Sequence, residues 1–351
     1  MKIVEIHPTV FLRKQNGSLE QLCRVTVEHD GPPGAWTVAA RAEGTCVETF
    51  LGHVPRGNSS YDVFVREIKN PGPVEFELKA DRSDVPTVKQ VVDWKPPKHW
   101  RVHVIQLSHH DVGYTDLASR VLTEHGRFLD AAIDMAASTQ DFPEDARFRI
   151  VVECMWSLLH FLRTAPEERG ARMIQLLASG DVEAAALFGN ITTELCGHET
   201  LARMLYPAFR LKRCYGIPII SAEHNDITGF SWGLCRILAD AGIKFFSPGL
   251  PLYYGWVKED LPSFWDEKAV FGRKGPGAFW WESPTGKRVL FWCNNSGCGG
   301  DCRPDMPGLA DRLQALLDDG YPYDLLRWPV QGAARDNSPY RWLCADDPRV
   351  E

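Results

Sequence analysis

The sequence lacks any apolar run near the roughly 20 residues needed to cross a bilayer, so no membrane partner is expected. Its start lacks a signal-peptide core, because Lys2, Glu5, His7 and Pro8 break up the apolar residues before Lys14, and the cytoplasm is the expected compartment. Basic runs are missing too. Lys212-Arg213 and Arg273-Lys274 are isolated pairs in a chain of net charge −7, which leaves no surface to neutralise a row of phosphates and excludes nucleic acid as a partner. The ten cysteines include no CxxC pair and show no disulfide framework. Cys293, Cys298 and Cys302 come nearest to a cluster, with a spacing that matches no zinc pattern and reads as reduced loop thiols. Internal repeats, low-complexity segments and an acidic tail are all absent, and no histidine follows His224.

What remains is ordinary globular composition, 44% hydrophobic and 24% charged over 351 residues, enough for a large α/β domain and a smaller one. Residues 1–95 read as a small all-β sandwich-like domain. Cys23-Arg24-Val25-Thr26-Val27, Trp36 to Ala40 and Val74 to Leu78 alternate or run short between Gly/Pro turns such as Asp30-Gly31-Pro32-Pro33 and Arg56-Gly57-Asn58-Ser59. Lys95-Pro96-Pro97-Lys98 reads as a linker, since adjacent prolines cannot continue a central strand. Residues 100–351 alternate strands with helices. Strands are expected at Val102–Leu107, Phe148–Val152, Ile217–Ser221 and Ile243–Phe246. Helices are expected at Leu117–Ala137, from Met155, at Glu167–Ala178, Glu194–Tyr215 and Phe230–Ala241, with Gly180, Gly216 and Gly242 at their ends. Such alternation implies βαβ units around a parallel sheet, open or closed into a barrel.

Three strand ends carry candidate chemistry. After Val102–Leu107 comes Ser108-His109-His110-Asp111-Val112-Gly113-Tyr114. Residues two apart on extended backbone point the same way, so His109 and Asp111 can meet at one divalent ion while His110 points elsewhere. The plain alternative is a polar loop. Ser221 to Gly229 contains Asp226, which reads either as a helix cap or as a carboxylate kept ionised to serve as ligand or nucleophile. Glu153, with Trp156 behind it, ends the strand Phe148–Val152 and forms either a pocket wall or plain structure. The aromatics Tyr253, Tyr254, Trp256, Trp265, Trp280, Trp281 and Trp292 read mainly as core and lid packing, with sugar stacking as the other use.

In order and spacing these segments, together with Gly189, Asn190, Thr192, Glu194, Glu199 and Arg203, Tyr215-Gly216-Ile217 and Leu238 to Phe246, form a recognisable series. It resembles the N-terminal catalytic domain of glycoside hydrolase family 38, the α-mannosidases, over about residues 100–340. The closer likeness is to divergent bacterial relatives with His-His-Asp-x-Gly-Tyr-Thr-Asp. The resemblance implies an irregular seven-stranded β/α barrel of the glycoside hydrolase and deacetylase type. It implies retaining hydrolysis of α-mannosides or related glycans, with one Zn2+ or similar divalent cation per chain. Its zinc ligands fall on His109, Asp111 and Asp226, and Asp226 is also the implied nucleophile. The acid/base falls on Asp336, with Asp324 and Asp301 as fallbacks. Tyr114, Glu153 and Trp156 are the implied substrate contacts, Tyr114 standing where the family has Trp.

The resemblance also implies a fourth zinc ligand, a histidine in a helical domain beyond the barrel, and this sequence has none after His224. The expectation is a barrel truncated at its C-terminal end, with the ion completed by water or another side chain and an exposed apolar face favouring homo-oligomers. A catalytically inactive carbohydrate-binding or interaction protein is the alternative. A sugar deacetylase is a further one; it requires an aspartate with a His-x-x-x-His pair, which this reading does not find.

Overall fold

The alternating first hundred residues form seven antiparallel strands in a computed structural model: β1 (Lys2–Gln15), β2 (Ser18–His29), β3 (Gly34–Ala42), β4 (Thr45–Val54), β5 (Gly57–Arg66), β6 (Gly72–Ala80) and β7 (Val88–Trp94). The structure describes residues 1–82, 84–111, 116–225, 227, 229–249, 278–292, 309–318, 321 and 323–330. Among these, the chain divides into two compact units, residues 1–100 with the helix Leu309–Asp318, and the described residues from Arg101 on without that helix.

In the first unit the sheets have orders β1-β2-β5 and β4-β3-β6-β7. Alternation buries every second residue, and Cys23, Val25 and Val27 of β2 share one core with Val38 and Ala40 of β3 and Val74, Phe76 and Leu78 of β6. Trp94 Nε1 donates to Gln21 Oε1 at 3.0 Å, so the buried indole N–H is satisfied. The β1–β2 turn is Asn16-Gly17, with φ of 51° and 78°. This two-residue turn with both φ positive suits the twist of the strands it joins. Gly57 to Ser59, which read as a turn, lie within β5 instead.

The second unit contains β8 (Arg101–Ser108), α1 (Ala118–Ser138), β9 (Ile150–Val152), α2 (Met155–Thr164), α3 (Glu167–Ser179), β10 (Val182–Ala184), α4 (His198–Arg203), α5 (Tyr206–Tyr215), β11 (Ser221–Asn225), α6 (Trp232–Asp240), β12 (Phe245–Gly249), β13 (Ala278–Glu282), β14 (Arg288–Trp292) and β15 (Leu325–Val330). Helix α7 (Leu309–Asp318) packs on β1 in the first unit. Strands β10-β9-β8-β15 form one parallel sheet and β11-β12-β14-β13 a second, in which β13 alone runs antiparallel. Among the described residues no ladder closes the two sheets into a ring; an Ala186 N–H to Ser221 O bond of 2.9 Å runs between the end of β10 and the start of β11. The fold is mixed α/β, with helices burying one face each. In α1 the buried positions are Val121, His125, Leu129, Ala132, Ile133 and Ala136, the three-to-four spacing of one helix stripe. No helix among the described residues is long and apolar enough to cross a membrane.

Of the boundaries that differ from the sequence reading, two are set by proline. The helix expected over Glu194–Tyr215 is a short 3-10 turn followed by α4 and α5, and the break falls before Pro207, which is tolerated only in a first turn. The strand expected at Ile217–Ser221 starts at Ser221 instead, since Pro218 has no N–H to give a ladder. That shift puts His224 and Asn225 on the strand and Asp226 directly after its end.

Candidate active site

The β8–β9 ladder pairs Ser108 with Val152, so the next residue on each strand, His109 and Glu153, emerge side by side. Glu153 is completely buried. A buried carboxylate without partners would cost several kcal/mol, and here four donors surround it. His109 Nδ1 donates to Oε2 at 3.1 Å and the His110 N–H to Oε2 at 2.8 Å; Asn190 Nδ2 and the Asn225 N–H each donate to Oε1 at 2.9 Å. Burial pushes the Glu153 carboxyl up, but His109, Asn190 and the His110 N–H outweigh it and bring it down to about 2. One side chain thus joins the ends of β8, β9 and β11 with the segment after β10.

With Nδ1 committed to Glu153, His109 presents Nε2 to Asp111, whose Oδ1 stands 3.3 Å away. No hydrogen bond of normal geometry reaches Nε2, and it is buried. Two ligand atoms each about 2.0–2.1 Å from a tetrahedral zinc lie about 3.3–3.4 Å apart, so the pair is spaced as two ligands of one ion would be. Burial lowers the basicity of His109, but the Glu153 and Asp111 carboxylates outweigh it and hold its pKa well above the ordinary value. Among the described residues no group of three or more His, Cys, Asp or Glu side chains is arranged to hold a metal.

His110 turns to the other side. Its ring lies 4.0 Å from that of His125 in α1 and 5.8 Å from Trp156 in α2. Burial pushes His110 down to about 4 and His125 down to about 3, so both are neutral at pH 7. Half-buried Trp156 stacks on Phe188 at 6.2 Å and lines a groove of about 970 Å³ with Leu159, Leu162, Tyr206 and Tyr215. His224 Nε2 lies 3.0 Å from Gly189 O and 3.3 Å from Ile191 N, and by donating to the first or accepting from the second it holds the segment that carries Asn190.

Of the expected site residues, the structure brings together His109, Asp111 and Glu153, whereas Trp156 packs against His110, which turns away from that group. Asp226, Tyr114, Asp336 and Asp301 lie outside the described residues, as do Cys293, Cys298 and Cys302. Asp324 is corrected out of the site. It precedes β15, which runs parallel to β8 with Leu325 opposite Arg101, and its carbonyl accepts the Arg101 N–H at 2.6 Å. Asp324 therefore sits at the opposite strand end, about 25 Å from His109 for eight strand residues. Glu199 and Arg203 form an exposed helical ion pair with each other. A His-x-x-x-His spacing does occur, His99 to His103, contrary to the sequence reading. His103 is an exposed residue near the start of β8, again at the far end of the strand from His109. Asn190, His224 and Asn225 had not been assigned roles, and their neighbours in space come from other strands.

Residues 99–296, more than half of the chain, match the family model of the Glycosyl hydrolases family 38 N-terminal domain. Among solved structures, an alpha-mannosidase from Enterococcus faecalis V583 is similar with TM-score 0.51 and 13% identity, over 68% of this chain and 25% of that one. A family 38 protein from Enterococcus faecalis gives 0.43 and 13%, over 65% and 23%. A 4-alpha-glucanotransferase from Thermococcus litoralis gives 0.38 and 12%, over 65% and 32%. The chain spans about a quarter of the length of the two Enterococcus proteins. No curated protein matches it.

Proposed function

The chain belongs to glycosyl hydrolase family 38 through its N-terminal domain, and from that premise we propose that it is a zinc-dependent retaining glycoside hydrolase of α-mannosides or related glycans. The observation that carries this reading is the His109 Nε2–Asp111 Oδ1 pair at 3.3 Å, backed by a buried carboxylate on Nδ1. His109, Asp111 and Asp226 would hold the ion. What supports including Asp226 is its neighbour: the Asn225 N–H is bonded to the same Glu153 that orients His109. The seven parallel strands β8, β9, β10, β11, β12, β14 and β15 would form the wall of the barrel, with the site at their C-terminal ends, where β/α folds gather ligand groups.

In this mechanism Asp226 attacks the anomeric carbon as Asp336 protonates the departing oxygen. A covalent glycosyl-enzyme forms, and water, deprotonated by Asp336, then releases the sugar with retained configuration. When bound, zinc would grip sugar hydroxyls and help distort the ring. Tyr114 and Trp156 would supply the aromatic contacts to the sugar; Glu153, with both oxygens occupied by protein donors, would support His109 rather than touch substrate.

Purified chain should bind about one zinc, and hydrolyse an aryl α-mannoside with retention. Asp226→Ala should abolish turnover, because it removes ligand and nucleophile together. Full turnover in that variant, or in metal-stripped protein, would refute the mechanism. The alternative reading is a catalytically inactive carbohydrate-binding protein, which binds sugar without cleaving it. Sugar binding with zinc bound and no turnover would favour that reading.

A further inference from the structure

Glu153 is placed to do more than fill a buried position. It is the fully buried carboxylate that accepts from His109 Nδ1, and through its two oxygens it ties three strand ends to the segment bearing Asn190. A carboxylate can only accept here, so Nδ1 must carry the hydrogen, and Nε2, facing Asp111 Oδ1, is the nitrogen that would give up its proton to a metal. His109 Nε2 is buried and without a normal hydrogen bond, which is how an imidazole nitrogen kept for a ligand would be left. The Asn225 N–H on Oε1 fixes the residue before Asp226 from the same carboxylate.

We propose that Glu153 is a positioning residue that sets the His109 tautomer for metal binding and holds the Asn225 end of β11 in register with it. This rests on the zinc reading above. Asn190 belongs to the same device as the donor that steadies Oε1, and His224 Nε2, donating to Gly189 O, steadies the segment that carries Asn190. Gln at 153 cannot reproduce the arrangement. Its NH2 end would face either the His110 N–H or the Asn225 N–H, and a backbone donor cannot be turned around.

The test is zinc affinity of the full 351-residue chain, measured by competition with a chromogenic chelator, alongside circular dichroism. Loss of an outer carboxylate behind a histidine ligand weakens binding about 10–100-fold, which is the expectation for a folded Glu153→Gln chain. A cobalt-loaded sample should show an altered visible absorption band. A purely structural role would lower the unfolding midpoint and leave affinity and band unchanged; that outcome overturns the proposal. Should Glu153→Gln fail to fold, Glu153→Asp carries the test. It keeps the charge but withdraws it by one methylene, and it should still bind zinc about tenfold more weakly; wild-type affinity in it overturns the proposal. A wild-type chain that takes up no zinc overturns the zinc reading itself, and this inference with it.

Discussion

Replacing Glu153 by Gln in the metal-free chain should cost the second unit a large part of its stability, and the cost can be worked out in two ways. Folding brings the carboxyl from an ordinary 4.5 down to about 2, and at about 1.4 kcal/mol for each tenfold change in proton affinity that is about 3 kcal/mol at pH 7. The hydrogen-bond count agrees in size. At least one backbone N–H, of His110 or Asn225, is left facing another donor, which costs about 1–3 kcal/mol, and charge-assisted bonds to His109 and Asn190 are weakened as well. Together these suggest about 3–5 kcal/mol, in line with breaking a buried ion pair. Against a usual total of about 5–15 kcal/mol that is a severe loss.

The pH dependence has a definite sign. Glu153 has a depressed folded-state pKa, so its contribution is complete above about 4.5 and disappears as pH falls towards about 2. His109 is raised, so its share is complete below the ordinary value of 6.5 and is lost as pH rises through its folded pKa. Both shifts contain the same His109–Glu153 attraction, which is counted once. Urea unfolding at pH 7 should show the second unit's transition about 1–2 M lower in Glu153→Gln, for a slope of about 2–3 kcal/mol/M. Hydrogen exchange should rise in β8, β9 and β11 and stay unchanged in β2 and β3. The wild type should lose stability between pH 4.5 and 2 more steeply than the variant. A shift under about 0.3 M, or parallel acid curves, would show that the four donors do not hold the carboxylate as described.

Asn190→Ala removes one donor to Glu153 and should cost about 1–2 kcal/mol in the same urea transition, without touching the first unit. Trp94→Phe leaves Gln21 Oε1 without its partner in the first core and should lower only that unit's midpoint, by about 1–3 kcal/mol. Leu158→Ala, at a fully buried position on α2, should cost about 2–5 kcal/mol in the second unit by calorimetry. Gly17→Ala forces a side chain into φ +78° and should destabilise the β1–β2 hairpin by about 1–2 kcal/mol, read as faster amide exchange in both strands.

Much of this architecture is written in local pattern. Alternation in β2, β3 and β6 and the three-to-four stripe of α1 reflect burial on one face, which a sequence states directly. Asn16-Gly17 carried an equally plain hairpin signal. Glu43-Gly44 makes a similar turn with φ of 45° and 75°, but no residue rule places a glutamate there. Strand β10 spans three residues, Val182–Ala184, too short for any period to emerge. The exposed Trp280, under the Arg288 guanidinium at 4.5 Å, and the packed Trp281 next to it differ only in which face of β13 they occupy.

The site shows where local pattern stops. That His109 and Asp111 share a side follows from two-residue spacing on extended backbone, and the 3.3 Å separation is what that spacing allows. Glu153 was visible only as a carboxylate at the end of an apolar strand, equally suited to a pocket wall or to structure. Its four donors come from positions 109, 110, 190 and 225, and bringing these together depends on the order of β10, β9 and β8 and on the strand end of β11. A sequence fixes such meetings through the whole packing of the unit, so no window of residues announces them. The burial is what tells the two readings of Glu153 apart. A pocket-wall carboxylate keeps an oxygen for solvent or ligand, whereas one with both oxygens filled from three other segments can act only through the groups it holds. Those groups are the imidazole of His109 and the backbone before Asp226, so under the proposed zinc reading Glu153 would act on this strand end without meeting the substrate.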